Sequence, residues 1–303
     1  MIETDFFSTY LLRISIALIM FGMGMNLTVD DFRRVFRHPK ALLLGLIAQM
    51  IWLPILGLLI VLPFPVSNEL KVGIILVAIC PGGATSNLLN YLLNGNLALC
   101  VSLTSINSFL TQFTIPVLMN LSLVFFMGRS ADIHLDFWES VIHIVLITAL
   151  PVTLGILFRN RREQWAEKMR IPFKYILPAL MGVALAGAIF LEKKEPIPMT
   201  WQDGLLVFPM ALLLNVGGMM SGVWISRLGN QDKKTQMTIG IEVGLQNTTL
   251  AIVIALSFLK SPFIAIPAAI YALFSFFTTA LFGMIMSGRS VSIKKIRAGL
   301  RRK

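Results

Sequence analysis

Glu242 is the acidic residue that lies deepest inside an apolar stretch, which runs from about residue 237 to 259. The other fourteen Asp and Glu residues lie in polar segments or at their edges. A carboxylate at membrane depth costs at least about 2.5 kcal/mol, so it should face a partner or a watery cavity. Its neighbours in sequence are two glycines and two carboxamides, Gly240, Gly244, Gln246 and Asn247. This combination predicts a cation site on an interrupted transmembrane helix.

A second apolar stretch contains the sequence Cys-Pro-Gly-Gly-Ala-Thr-Ser-Asn at 80–87. Pro81 removes a backbone donor, and the two glycines that follow weaken a helix further. We expect Ser86 and Asn87 to cap a second half-helix over 88–93. A plain kink explains this motif alone equally well. Two interruptions together with one buried acid favour a binding site, because secondary transporters place their sites at paired helix breaks.

Helix breaks in the middle of a membrane expose backbone groups to ligands. Carbonyl and carboxamide oxygens suit hard cations such as Na⁺, whereas the N-termini of half-helices suit anions. In a continuous helix, Gln246 shares a face with Glu242, four residues earlier. If the helix unwinds at Gly244, the carbonyls of Val243 and Leu245 become available instead.

The composition is that of an integral membrane protein. Of the 303 residues, 56% are hydrophobic and 14% are charged, and the mean hydropathy is +0.79. A soluble domain carries about 25% charged residues. Apolar runs recur along the whole chain, which predicts a helical bundle. The net charge of +11 arises from loops and the tail. Membrane topology and lipid headgroups therefore explain this charge better than nucleic acid does.

The apolar runs predict nine spans with short connections. Their approximate bounds are 9–27, 41–62, 72–93, 97–126, 138–158, 171–191, 204–226, 237–259 and 263–286. With the N-terminus outside, nineteen of the 26 Lys and Arg residues lie on the inner side and five on the outer side. This asymmetry predicts a basic cytoplasmic tail over 287–303 and a multi-pass protein of the plasma or inner membrane.

Two alternatives to a cation site are open at this point. Glu242 could have a structural role, hydrogen-bonded to Gln49 or Asn215. The chain could also be a membrane enzyme, which requires a second catalytic group near Glu242. No second acid lies at membrane depth, and the sequence has no Walker or HExxH motif. These observations favour a transporter over an enzyme.

Three motifs resemble the bile acid:sodium symporter family. They are Met-Phe-Gly-Met-Gly-Met-Asn-Leu-Thr-Val-Asp-Asp-Phe-Arg-Arg-Val at 20–35, the segment 80–87, and Ile-Glu-Val-Gly-Leu-Gln-Asn at 241–247. The resemblance implies an all-α, inverted-repeat transporter in one transmembrane domain. A core would comprise about 41–126 and 204–286, with spans three and eight crossing at their breaks. A panel would comprise about 9–27 and 138–191.

The resemblance also implies two sodium sites that share Glu242. The first would use Ser86, Asn87, Thr104 and the position of Cys100. The second would use Gln49 and Gln246, with backbone oxygens of Val243 and Leu245. Cys100 stands where relatives commonly have Ser, and a thiol is a poor ligand for a hard cation. We therefore expect the first site to be weaker or to use a backbone oxygen there.

By the same resemblance, the substrate cavity lies around the two breaks and the last span. The implied substrate-binding residues are Ala84, Thr85, Asn247, Thr249, Thr278 and Thr279. Thr278-Thr279 replaces a common His-Asn pair, so the substrate is expected to differ from the familiar ones. The implied function is sodium-coupled symport of a small organic anion, such as a bile acid-like or pantoate-like carboxylate. A proton-coupled or efflux carrier of the same superfamily is the alternative.

Overall fold

The computed structural model describes residues 12–26, 39–128, 150–169 and 201–288, together with the separate positions 172, 173, 176 and 180. This part of the chain is all-helical, as predicted, apart from turns, short loops and one isolated β-bridge. Most of the fifth and sixth predicted spans and the C-terminal tail from residue 289 lie outside the described residues. The count of nine spans therefore stays a prediction.

The described residues form nine main helical elements, and residues 150–161 and 163–169 are also helical. The elements are α1 (Leu12–Asn26), α2 (Pro39–Val61), α3 (Asn68–Ile79), α4 (Ala84–Leu92), α5 (Leu97–Met127), α6 (Trp201–Leu228), α7 (Lys233–Gly244), α8 (Thr248–Val253) and α9 (Pro262–Ser287). Helices α2, α5 and α9, and Gly204–Leu228 within α6, are long and apolar enough to cross a membrane. The protein is therefore a multi-pass membrane protein.

Exposed apolar side chains cover the outer faces of the long helices, where lipid replaces a protein partner. Leu121 and Phe125 on α5 and Leu273 and Phe277 on α9 are all more than half exposed. By contrast, α3 is central, since every residue from Val72 to Ile79 is buried. It packs against α2, α5 and α9.

The first interruption lies between α3 and α4. The chain leaves the helix at Cys80, which is extended, and re-enters it at Ala84, with Gly83 as the N-cap residue. The prediction that Ser86 and Asn87 cap a half-helix over 88–93 is wrong, because the helix begins at Ala84, four residues before the predicted start. Ser86 lies inside α4, where its hydroxyl bonds back to the Gly83 carbonyl instead of capping an N–H group.

The second interruption lies between α7 and α8. Helix α7 ends at Gly244, and Leu245 is extended. Asn247 then caps α8 by accepting a hydrogen bond from the Leu250 N–H at 3.0 Å. Helix α8 continues as a π-helical turn, Ile254–Phe258.

The two interruptions are bonded to each other through their backbones. The Gly83 N–H donates to the Leu245 carbonyl and the Asn247 N–H donates to the Pro81 carbonyl, both at 2.8 Å. These bonds form an antiparallel bridge centred on Gly82 and Gln246. The extended residues thereby satisfy backbone groups that would otherwise be unpaired in the membrane.

Helix α2 contains a π-helical turn, Ile47–Trp52, which carries Gln49. Pro54 follows directly and has no N–H for the carbonyl of residue 50, so the helical hydrogen bonds are rearranged here. Gln49 is buried within the protein rather than facing lipid.

Candidate ion-binding site at the contact between two broken helices

Glu242 is almost fully buried, and its carboxylate accepts hydrogen bonds from α4 and α5. Ser86 Oγ lies 2.5 Å and Cys100 Sγ 3.2 Å from Oε2. Thr104 Oγ1 lies 2.7 Å from Oε1. Three residues that the family resemblance placed beside Glu242 are thus in direct contact with it. Three different helices supply the cluster.

Gly82 allows this carboxylate to lie against the first break. A Cβ atom at position 82 would be 2.3 Å from Glu242 Oε1 and 2.8 Å from its Cδ. Carbon atoms do not approach other heavy atoms so closely without displacing them. Glycine is therefore required at Gly82 for space and not for backbone conformation.

Two hydroxyl groups converge on the carboxylate of Glu242. The Ser86 hydroxyl is 2.8 Å from the Gly83 carbonyl and also contacts Glu242 Oε2. The Thr104 hydroxyl is 2.9 Å from the Cys100 carbonyl and also contacts Glu242 Oε1. Each hydroxyl has one proton for two oxygen acceptors, as the Thr111 and Ser226 hydroxyls also have. The difference here is that one acceptor of each hydroxyl is a buried carboxylate, whose charge a small cation would neutralise.

Two asparagines on α4 extend this arrangement. Asn87 Oδ1 is buried and has no hydrogen-bond partner, which leaves a neutral oxygen free to bind a cation. Asn90 was missed by the sequence reasoning. Its Nδ2 donates to the Ser86 carbonyl and to Cys100 Sγ, both at 3.1 Å. The available signal was its position one helical turn after Ser86.

A carboxamide pair lies on the other side of the bridge. Gln49 Nε2 donates to Gln246 Oε1 at 2.8 Å and to the Cys80 carbonyl at 3.0 Å. Gln246 Nε2 donates to the Val243 carbonyl at 2.7 Å. The structure therefore brings together Gln49, Gln246 and Val243, and Gln49 bonds to Gln246 rather than to Glu242. The Leu245 carbonyl accepts from Gly83 in the bridge.

Asn215 on α6 bonds to the end of α7 and not to Glu242. Its Nδ2 donates to the Gly244 carbonyl at 2.6 Å, and the Tyr271 hydroxyl donates to the same oxygen at 2.8 Å. Thr278 Oγ1 lies 2.6 Å from Asn215 Oδ1, and Thr279 Oγ1 lies 3.3 Å from Nδ2. Sequence reasoning missed this network, because nothing near Asn215 or Tyr271 in sequence indicates it.

The residues assigned to the substrate cavity have different environments. Thr85 and Thr249 are exposed, and Asn247 is half-buried. Thr279 is fully buried within the Asn215 network. At the start of α4, where Ala84 lies, no side chain caps the first N–H groups. This N-terminus therefore presents backbone N–H groups of the kind that a carboxylate binds, although the Ser86 N–H already donates to the Gly83 carbonyl at 3.0 Å.

The atoms around Glu242 are mostly of the kind that bind a hard monovalent cation. One carboxylate and several neutral oxygens match sodium, and Cys100 is the exception. Within the described ranges, no group of three or more His, Cys, Asp or Glu side chains could hold a metal ion. A transition-metal or zinc site is therefore not indicated in this part of the chain.

Comparison with known protein families indicates the same kind of protein as the candidate ion site does. Residues 13–196 match the Sodium Bile acid symporter family. The chain belongs to this family of sodium-dependent transporters, as the three motifs predicted.

Relatives with descriptive names align over most of the chain. The "uncharacterized sodium-dependent transporter YocS" of Bacillus subtilis is 32% identical over 295 residues, which cover 96% of this chain and 86% of that protein. A rice "probable sodium/metabolite cotransporter BASS2, chloroplastic" is 30% identical over 269 residues, covering 89% of this chain and 61% of that protein. The rabbit "ileal sodium/bile acid cotransporter" is 28% identical over 253 residues, covering 82% of this chain and 70% of that protein. All three are named as transporters and none as an enzyme.

Proposed function

We propose that this protein is a sodium-coupled symporter of a small organic anion, working by alternating access. The single observation that carries the proposal is the buried carboxylate of Glu242 at the contact between the two breaks, which hydroxyl groups of two other helices contact. A buried carboxylate that touches two hydroxyl groups, each shared with a backbone carbonyl, is a suitable ligand set for Na⁺. The family membership supports sodium as the coupling ion.

Two sodium ions would share Glu242. The first site would use Ser86, Asn87, Thr104 and a group at Cys100, whose carbonyl already lies 2.9 Å from the Thr104 hydroxyl. The second would use Gln49 and Gln246 with the carbonyls of Val243 and Leu245. The unpaired Asn87 Oδ1 supports the first assignment. The convergence of Gln49, Gln246 and the Val243 carbonyl supports the second.

The substrate would bind beside the bridge, next to the ions. Its carboxylate would meet the uncapped N-terminus of α4 at Ala84 and Thr85 and the start of α8 at Asn247 and Thr249. Thr278 and Thr279 would act through Asn215 at the base of the cavity. Sodium bound nearby would offset the negative charge of the anion, which couples the two binding events.

The movement would involve the two parts that the family resemblance implies. The core, about 41–126 and 204–286, would hold both breaks, and the panel, about 9–27 and 138–191, would move against it. Nine spans with the N-terminus outside would place the basic tail at 287–303 in the cytoplasm of a plasma or inner membrane.

Proton coupling is the competing mechanism. A proton on Glu242 would join its carboxylate to a neighbouring oxygen atom, and the Cys100 thiol weakens the first sodium site. Membership of a family of sodium-dependent transporters nevertheless favours sodium.

Uptake into proteoliposomes tests the proposal. Radiolabelled taurocholate and pantoate serve as probes, with an inward sodium gradient, an equal potassium gradient or a pH gradient. We expect uptake only with sodium, and its loss in Glu242→Gln, which keeps the shape and removes the charge. In addition, sodium but not potassium should raise the melting temperature of the wild type. Uptake driven by the pH gradient alone, or sodium stabilisation unchanged in Glu242→Gln, contradicts the proposal.

A further inference from the structure

Helix α5 carries polar atoms that are buried and have no partner. Asn107 is almost fully buried, yet neither its Nδ2 nor its Oδ1 forms a hydrogen bond. Ser108 Oγ and Gln112 Oε1, also buried, are unpaired as well. Each such atom costs about 1–3 kcal/mol. Four of them within two turns of one helix therefore need an explanation beyond packing.

These atoms form one stripe with the candidate ion site. At 100° per residue, Thr104, Asn107, Ser108 and Gln112 lie on the same side of α5. Thr104 contacts Glu242, and Gln112 lies about 12 Å further along the axis. The stripe therefore starts at the carboxylate and extends across the middle of the helix.

The backbone adds a further oxygen at the far end of the stripe. Pro116 lies inside α5 and has no N–H to donate to the Gln112 carbonyl, one turn earlier. The side-chain oxygen and the backbone oxygen of Gln112 thus both lack their usual donors. By comparison, the Thr111 hydroxyl on the same turn is satisfied by the carbonyls of Asn107 and Ser108.

The chemistry of the stripe favours a cation over an anion. It contains only neutral groups, and the charge at its end is the carboxylate of Glu242. An anion would be repelled by that carboxylate, whereas a cation would be drawn along the stripe towards it. Neutral amide and hydroxyl oxygens replace part of a hydration shell without binding tightly, which suits an ion in transit.

We infer that Thr104, Asn107, Ser108 and Gln112 line a polar route by which sodium reaches and leaves Glu242. The inference rests on the proposed sodium coupling and adds the path to it. A path residue changes how fast the ion arrives, because the ion does not remain there at equilibrium. The rate of sodium exchange and the equilibrium affinity for sodium can therefore be measured separately.

The test compares Asn107→Leu and Ser108→Ala with the wild type, using radioactive sodium exchange in proteoliposomes and sodium-dependent thermal shifts. We expect exchange at low sodium to slow about tenfold in Asn107→Leu, equivalent to about 1.4 kcal/mol. The sodium concentration for half-maximal stabilisation should change by less than about twofold. The melting temperature without sodium should be equal or higher, because unpaired amide atoms have been removed.

Ser122→Ala is the matched control, since the Ser122 hydroxyl is bonded to the Leu118 carbonyl further along the same helix. Its exchange rate should equal that of the wild type. Asn107→Thr should recover much of the rate by restoring a polar group. Should Asn107→Leu fail to fold, Ser108→Ala carries the same comparison.

Exchange at the wild-type rate in both Asn107→Leu and Ser108→Ala overturns the route while leaving the proposed function intact. A wild type without any sodium-specific stabilisation instead contradicts the proposed function, and the route with it.

Discussion

Replacement of Gly82 by alanine tests the site without replacing any of the residues proposed to bind sodium. The added Cβ would lie 2.3 Å from Glu242 Oε1, where ordinary contacts are at least about 3.4 Å. The carboxylate must therefore retreat by about 1 Å. The 2.7 Å bond between Oε1 and Thr104 would then lengthen beyond hydrogen-bonding distance. Loss of one hydrogen bond to a charged group costs about 1.5–3 kcal/mol.

This loss should appear mainly in sodium binding. We expect the sodium concentration for half-maximal thermal stabilisation of Gly82→Ala to rise between about tenfold and a hundredfold. The fold itself should lose about 1–3 kcal/mol, as in other overpacked cores. The assay is thermal unfolding in detergent across a sodium series, with potassium keeping the ionic strength constant.

Gly83→Ala is the control at the next residue. There the nearest atom to a new Cβ is Thr85 Oγ1 at 3.2 Å, a side chain that can rotate away. Its sodium dependence should match that of the wild type within about twofold. If Gly82→Ala behaves like Gly83→Ala, the carboxylate does not depend on its contact with Gly82, and the reasoning about the ligand geometry is refuted.

Three further outcomes follow from individual contacts. Cys100→Ser exchanges a soft sulfur for a hard oxygen, so half-maximal stabilisation should need severalfold less sodium; an unchanged titration would show that the side chain is no ligand. Asn215→Leu removes the hydrogen bond to the Gly244 carbonyl and should lower the free energy of unfolding, measured by calorimetry, by about 1–3 kcal/mol. A smaller loss would mean that the Tyr271 hydroxyl alone satisfies this carbonyl. Asp232→Ala removes the N-cap of α7 and should cost about 1 kcal/mol at neutral pH. Hydrogen bonding to Thr235 lowers the pKa of Asp232 in the folded protein. The stability difference between wild type and Asp232→Ala is therefore fully present above the unfolded-state pKa of about 4, and it disappears as the pH falls through the folded-state pKa. A stability difference that does not change with pH would contradict this explanation.

The two interruptions could be predicted from sequence because their causes are local. Pro81 with its two glycines, and Gly244 before Asn247, disfavour a helix whatever surrounds them. The buried carboxylate was equally visible, since hydrophobicity alone shows that Glu242 is out of place. Charge and hydropathy thus pointed to the central residue of the candidate site and to the two interrupted helices.

The contacts across the site could not be derived from sequence. Gln49 bonds to Gln246, and Asn215 bonds to the Gly244 carbonyl. Both contacts join residues more than 25 positions apart in sequence, so they depend on how the helices pack against each other. The start of α4 was misplaced for a related reason. Ser86 looks like a cap in isolation, but its hydroxyl is taken by Glu242, which lies 156 positions away.

The unpaired atoms on α5 were also invisible in the sequence. Asn107 and Gln112 read as ordinary polar residues of a membrane helix, which usually find a partner on a neighbouring helix. Only their burial without a donor or acceptor distinguishes them. Such an absence is a property of the packed structure and has no local signature.

The bridge between the two breaks has a consequence for how this protein can diverge. Its two hydrogen bonds join main-chain atoms of Pro81, Gly83, Leu245 and Asn247, so they survive most replacements of the side chains at these positions. The neighbouring side chains can therefore change from one paralogue to another while the junction keeps its geometry. New cargo preferences can thus evolve at residues such as Thr85 and Thr249 without rebuilding the scaffold that holds Glu242.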